Sequence, residues 1–340
     1  MREAIAAAIA GRDLGEQAMQ EVVDVMMSGA ATPAQIGSLL TALRMKGESV
    51  DELVGTARAM RAHMLRVPWG GLAVDTCGTG GDGADLFNVS TAVALVVAGA
   101  GVAVAKHGNR AQSGRVGGAD VLETLGVRID LPPDGVARCL ERAGVGFCFA
   151  PRFHAAMRYA AGPRREIGLR TIFNLVGPLA NPAGATVQLV GVSEPRWTAP
   201  MAEALRRLGT TRALVVHGSG LDEISTIGPT RVSEVGSDGV RTYDLAPSDF
   251  GLARCDAPPR VADAAGSAAI LRDVLAGVGG GARDLVLVNA AATLVLAGRA
   301  ADWRVGMAVA AATIDGGAAA RALARLVETS NEYEDGARPA

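Results

Sequence analysis

The stretch DTCGTGGDG, Asp75–Gly83, decides how this chain reads. It leaves a short apolar run, Leu72–Thr76, and leads through Asn88, Ser90 and Thr91 into a helix-like segment, Thr91–Ala100, so it reads as a strand-to-helix turn. Glycines at 78, 80, 81 and 83 let the backbone bend sharply and aim several amides inward, and the helix start behind them adds partial positive charge. Such a loop is an anion cradle. It has neither the GxxxxGK[ST] spacing of a P-loop nor, at this turn, the GxGxxG spacing of a dinucleotide site. Asp82 and Asn88 are polar side chains that a plain glycine turn capped by Ser90 does not need.

Outward from this turn, apolar runs alternate with glycine loops and helical stretches. The spacing predicts strands at Leu72–Thr76, Val102–Ala105, Gly146–Phe149, Thr186–Val192, Ala213–His217 and Leu285–Val288. Helices are predicted between them at Thr91–Ala100, Ala119–Leu125 and Asp134–Ala143, and Val232–Asp244 reads as a hairpin near a sheet edge, turning at Ser237-Asp238-Gly239. A mostly parallel sheet covered by helices is the natural assembly. Upstream, residues 1–68 read as a separate helical domain. Thr32-Pro33 starts a helix whose face is Ile36, Leu39, Leu40 and Leu43, and Ser49 to Glu52 spells a capping box before Leu53, Ala57, Met60 and Met64. Three or four short helices make a thin core, so this apolar surface either faces a partner subunit in part or packs only within the chain.

With 340 residues the chain has room for about two domains. Apolar residues at 49% and charged residues at 20% exclude wholesale disorder, and 33 basic against 35 acidic residues leave no surplus for nucleic acid or an anionic membrane. Any anion site is therefore local. The longest apolar stretches, Thr91–Ala105 and Leu285–Gly298, fall short of the ~20 residues of a membrane span. Arg2 and the Ala/Ile run behind it, interrupted by Glu3, Asp13 and Glu16, read as helix rather than signal. Four cysteines without a CxxC indicate neither a disulfide framework nor a zinc site, which points to the reducing cytoplasm.

Only two basic residues are lysines, Lys46 and Lys106, so each stands out. Lys106 opens Lys106-His107-Gly108-Asn109-Arg110 at the end of the next strand, with Ser113 just beyond. Parallel sheets place ligands at the carboxyl ends of their strands, so this loop should lie beside the glycine loop, one offering cations and the other amides. A compact ammonium there suits an oxyanion. His107 by itself is more often a satisfied structural histidine. Arg164-Arg165-Glu166, then Arg170 to Asn174 and Gly177-Pro178, read as a helix and turn lying over a cleft, with an arginine available to a carboxylate. Asp222-Glu223, inside His217–Ser225, are adjacent carboxylates at a strand end, which suits Mg²⁺ bound together with substrate phosphates.

The motifs GTGGDG, NVSTA, KHGNR, RTIFNLVGPLANP and HGSGLDEIS, in this order and spacing, resemble the anthranilate phosphoribosyltransferase family over about residues 5 to 330. The resemblance implies a small all-helical domain, 1–68 joined by mid-chain helices around 163–183, hinged to a larger α/β domain, 72–335, with a mostly parallel central sheet. It implies homodimers formed through the helical part and a Mg²⁺-dependent transfer of phosphoribosyl from phosphoribosyl pyrophosphate to anthranilate. Carried over by position, Gly78, Gly80, Gly81, Asp82, Asn88, Ser90, Thr91 and Lys106 would hold phosphoribosyl pyrophosphate, with Gly108 and Ser113 in the same substrate loop. Ser90, Asp222 and Glu223 would hold magnesium. His107, Asn109, Arg164, Gly177 and Pro178 would line the anthranilate site, with Lys106, Asp222 and Glu223 closest to the chemistry. The chain departs from the family where Leu86 replaces a small hydroxyl residue, Gly114 and Gly118 replace serines, and Ala262–Ala269 lacks an expected asparagine.

Two other readings compete. A pyrimidine nucleoside phosphorylase would call for a KHSTGG-type phosphate loop where GTGGDG stands. A relative that has lost catalysis and binds nucleic acid is opposed by the retained Lys106, Asp222 and Glu223 and by the missing basic surplus. Neither nucleic acid nor membrane is expected as a partner.

Overall fold

The computed structural model describes residues 1–111, 116–253 and 258–333. Seven strands form one sheet, β1 (Val74–Gly78), β2 (Val104–Gly108), β3 (Val145–Phe149), β4 (Val187–Gly191), β5 (Arg212–Gly218), β6 (Thr230–Gly236) and β7 (Gly239–Leu245). Their order is β3-β2-β1-β4-β5-β6-β7, parallel through β5 and antiparallel for the β6-β7 hairpin at the edge. The chain walks outward from β1 to β3 and then returns to pair β4 on the other side of β1. The crevice at the carboxyl ends of β1 and β4 is therefore a switch point of the kind where α/β sheets bind ligands.

Four helices precede the sheet, α1 (Arg2–Ile9), α2 (Glu16–Met27), α3 (Pro33–Lys46) and α4 (Val50–His63). Capping boxes open α3 at Thr32 and α4 at Ser49, each worth about 1 kcal/mol by its hydroxyl alone. Ile36, Leu39, Leu40, Leu43, Leu53 and Ala57 are all buried, as their spacing predicts. Lys46 belongs to this packing: its ammonium meets Glu52 at 3.0 Å and Asp13 at 2.5 Å. Of the two lysines, only Lys106 lies near the sheet's carboxyl edge.

The remaining helices are α5 (Val89–Gly99), α6 (Gly118–Thr124), α7 (Pro133–Ala143), α8 (Ala150–Phe153), α9 (Arg158–Ile167), α10 (Ile172–Leu175), α11 (Thr198–Arg207), α12 (Ala264–Leu275), α13 (Gly281–Leu296), α14 (Trp303–Asp315) and α15 (Ala318–Asn331). One apolar core joins α5, α7 and α12–α15 to one face of the sheet. A second runs from α1–α4 through α9–α11 to the other face at Val190, Ala213, Val215 and Val235. Because α9 packs on α2 and α3, a mid-chain segment lies with the N-terminal helices. Arg61 of α4 reinforces this, donating to Leu179 O at 2.7 Å and Leu208 O at 2.9 Å.

The expected strand at Leu285–Val288 is instead the first half of α13. This helix is buried on nearly all sides, so no polar face marks its 3.6-residue period, and its apolar run imitates a buried strand. Among the described residues no helix is long and apolar enough to cross a membrane.

Candidate active site

A cavity of about 580 Å³ opens at the carboxyl ends of β1, β2 and β5, roofed by α9 and the turn after α10. Two glycines make room for its acidic corner. Gly78 and Gly191 are register partners on β1 and β4, and Asp222 lies across both. A Cβ on Gly78 would stand 2.3 Å from Asp222 Oδ2, and one on Gly191 would stand 1.5 Å from the Asp222 carbonyl oxygen. With that approach open, Asp222 Oδ2 accepts the Gly80 amide at 3.0 Å, and the Asp222 amide donates to Asp82 Oδ2 at 3.3 Å.

Behind the turn, Asn88 caps α5. Its Oδ1 accepts the Thr91 amide at 3.1 Å and the Thr91 hydroxyl, and its own amide donates to Ser267 Oγ at 2.9 Å. Lys106 is 4% exposed, and its Nζ donates to Thr76 O at 2.7 Å and to Ser90 Oγ at 2.9 Å. Burial pulls its pKa below the usual lysine value, against the opposing pull of Asp75, Glu223 and Asp222. Asp75 ties three segments together: Oδ1 accepts the His107 amide at 3.2 Å and Oδ2 accepts Asn181 Nδ2 at 2.8 Å. Asn181 also donates to Ala105 O at 2.8 Å.

Asp222 and Glu223 are half-buried, and what remains open faces the cavity. Burial raises both pKa values, and negative neighbours raise them further: Asp82 acts on Asp222, and Asp222 on Glu223. Crowded carboxylates beside a serine hydroxyl are an all-oxygen donor set. Among the described residues no three His, Cys, Asp or Glu side chains group into a cage. Mg²⁺ needs only one or two carboxylates when substrate phosphates complete its shell, so the residues present fit that ion.

At the other end of the cavity the surfaces are apolar and imidazole-rich. His107 Nδ1–H donates to Gly177 O at 3.1 Å, which leaves Nε2 as a buried acceptor without a protein partner. His154 Nε2–H donates to Ala180 O at 3.1 Å, and the two rings lie 5.0 Å apart. Burial drives their pKa values down to about 3 and about 4, so both are neutral at pH 7. The Arg164 guanidinium lies over the Phe173 ring, 5.5 Å from its centroid. Gly177 and Pro178 close this end.

Of the residues singled out in the sequence, Gly78, Gly80, Gly81, Asp82, Asn88, Ser90, Lys106, His107, Gly108, Asn109, Arg164, Gly177, Pro178, Asp222 and Glu223 all line this one cavity. Thr91 does not. It is 1% exposed and acts only through the Asn88 cap. Ser113 and Gly114 lie outside the described residues. At Gly117 any side chain would strike backbone, 2.4 Å from the Ala111 amide, whereas at Gly118 a Cβ meets nothing nearer than 3.5 Å. The sequence by itself assigns no site role to His154, Arg170, Asn181, Gly191 or Ser267. Arg170 and Asn181 fall inside the RTIFNLVGPLANP motif, whereas His154, Gly191 and Ser267 fall in none, and each reaches the site through the way the chain folds back on itself.

The profile of the glycosyl transferase family's a/b domain matches residues 70–320, and that of the family's helical bundle domain matches residues 2–64. Anthranilate phosphoribosyltransferase of Moorella thermoacetica is 54% identical over 334 residues, covering 96% of this chain and 97% of that protein. The enzyme of that name from Rhizobium rhizogenes is 50% identical, covering 96% and 98%. Among solved structures, anthranilate phosphoribosyltransferase from Thermus thermophilus superposes with a TM-score of 0.89 at 45% identity, covering 96% and 99%. The Saccharomyces cerevisiae enzyme in complex with PRPP and Mg superposes at 0.84 with 28% identity, covering 94% of each chain.

Proposed function

This chain belongs to the anthranilate phosphoribosyltransferase family, and from that premise we infer its reaction. It transfers phosphoribosyl from phosphoribosyl pyrophosphate to the amine of anthranilate, giving N-(5-phosphoribosyl)anthranilate and pyrophosphate in tryptophan biosynthesis. One observation carries the reading: a single cavity joins a turn of glycines and carboxylates to a chamber of arginine, imidazole and proline. The first half suits a diphosphate, the second a small aromatic acid.

An aromatic amine is neutral at pH 7, so it attacks the anomeric carbon without first losing a proton. As the C–N bond forms and the bond to pyrophosphate breaks, the ribose gains positive charge and the leaving group gains negative charge. Lys106 and the amides of the turn at 81–83 stabilise that leaving group. Magnesium held by Asp222, Glu223 and Ser90 supplies further neutralisation of the same charge when bound. Arg164 pairs with the anthranilate carboxylate, and His107 Nε2 accepts a hydrogen bond from the amine, whose nitrogen becomes cationic as the C–N bond forms and then gives up one proton to solvent to leave the neutral product amine. Phe173 and Pro178 give the ring an apolar wall that excludes water. Purified protein should release pyrophosphate mole for mole with anthranilate consumed. Release with anthranilate untouched would mean hydrolysis or another acceptor.

Arg164→Ala removes a charge-assisted pair worth about 1.5–3 kcal/mol, so the KM for anthranilate should rise about 10- to 100-fold. The KM for phosphoribosyl pyrophosphate should stay within about threefold, because Arg164 lies at the other end of the cavity. Equal rises would count against the assignment.

A homodimer through the helical lobe is supported by Ile9 and Met45, 72% and 83% exposed on α1 and α3. Light scattering at micromolar concentration should return twice the chain's 34.6 kDa, and the single mass would refute it. The free thiols Cys77, Cys139 and Cys148 support the reducing cytoplasm as its setting. Cell fractionation checks that assignment, and recovery outside the cytoplasm would overturn it.

A further inference from the structure

Arg164 and Arg170 stand on one stretch of chain, yet they serve opposite halves of the cavity. Arg164 stacks on Phe173 at the apolar end. Arg170, just before α10, crosses to the loop after β1, where Nη2 donates to Thr79 O at 3.0 Å. Its guanidinium fills the space that a side chain at position 81 would need: a Cβ on Gly81 would lie 1.8 Å from Nη1 and 2.6 Å from Cζ. Thr79 is fixed from its other side as well, its amide donating to Gly191 O at 2.9 Å and its Oγ1 accepting the Ser193 amide at 3.2 Å. The next residue along, Gly80, donates its amide to Asp222. Partial burial pulls the Arg170 pKa below the usual arginine value, with Arg44 adding to that pull and Asp222, Glu194 and Asp82 opposing it.

A turn with glycines at 80, 81 and 83, all at positive φ, has many backbone states available, and its amides converge on an anion only if something outside the turn restricts them. A planar guanidinium bonded to one carbonyl and seated on the following peptides is such a restraint. We propose that Arg170 is a positioning residue for the diphosphate turn, acting through the Thr79 carbonyl and the face of Gly81. The segment that brings Arg164 to one substrate thus also shapes the loop for the other. This rests on the assignment of the turn to phosphoribosyl pyrophosphate.

The test compares wild type, Arg170→Ala, Arg170→Lys and Arg164→Ala. It reads both KM values, kcat, and calorimetric binding of phosphoribosyl pyrophosphate without anthranilate. Losing a charge-assisted bond should raise the KM and the Kd for phosphoribosyl pyrophosphate about tenfold or more in Arg170→Ala, with the anthranilate KM within about threefold. Lysine keeps the charge but not the fork, so Arg170→Lys should recover part of the affinity; it also carries the test if the alanine variant does not fold. Arg164→Ala should show the reverse split. Arg170 variants that raise both KM values equally, or neither, would overturn the proposal. A wild-type chain that binds no phosphoribosyl pyrophosphate would instead remove the reading on which it rests, and the proposal with it.

Discussion

Gly191→Ala should abolish turnover and destabilise the chain by about 3 kcal/mol or more, the upper end of what overpacking costs, because the added methyl has nowhere to go. Its carbon would fall 1.5 Å from the Asp222 carbonyl oxygen and 2.4 Å from the carbonyl carbon, both backbone atoms. A flexible side chain swings aside; a peptide group moves only with its loop. That loop is pinned on every side, by Asp222 to Gly80 and Asp82, and by the Ile224 amide donating to Asn289 Oδ1 at 2.9 Å. Displacing it drags both carboxylates from the cavity. Gly118→Ala is the control, since its Cβ stands 3.5 Å or more from Lys106 and Thr91, and the thermal midpoint should barely change. Thermal or urea unfolding beside a pyrophosphate-release assay checks the pair. A Gly191→Ala enzyme that is stable and active would show that β4 does not approach Asp222 as described.

The second large effect comes from removing the two negative charges of the acidic corner. Asp222→Asn with Glu223→Gln keeps the shapes and most hydrogen-bonding capacity, yet kcat/KM should fall by at least about 10³-fold, the scale of losing a principal stabiliser of leaving-group charge. Folding should survive. The two carboxylates have raised pKa values because burial, and then the negative charge of Asp82 on Asp222 and of Asp222 on Glu223, disfavour their charge, so neutral isosteres relieve the native state at pH 7. In magnesium-free buffer the double variant should therefore melt no lower than wild type. A variant that retains turnover would remove both residues from the chemistry, whereas one that simply unfolds would mean that they are structural.

How much of this was legible in the sequence depended on whether the signal was local. The Ser49 capping box, the Thr32-Pro33 helix start and the Ser237-Asp238-Gly239 hairpin turn are short-range patterns, and the structure has all three. The glycine loop after β1 was equally readable, because its backbone demands leave a mark on composition. Leu285–Val288 misled because a helix buried all round carries no polar stripe. His154 was illegible for another reason. A histidine followed by two alanines has no motif to announce it, and only the packing of α8 on β3, the neighbour of β2, brings it 5.0 Å from His107. Gly191 likewise looks like any glycine ending a strand until β4 is set against β1. Arg170 opens the RTIFNLVGPLANP motif, but its reach to the glycine loop is not written there, because which of several nearby arginines arrives is decided by where α9 ends.

The central claim is the transfer of phosphoribosyl to anthranilate, and the most direct measurement is anthranilate fluorescence followed over time with phosphoribosyl pyrophosphate, with and without Mg²⁺. Wild-type protein should give a Mg²⁺-dependent loss of signal that requires both substrates. Fluorescence that stays flat with folded protein, saturating phosphoribosyl pyrophosphate and Mg²⁺ all present would contradict the account.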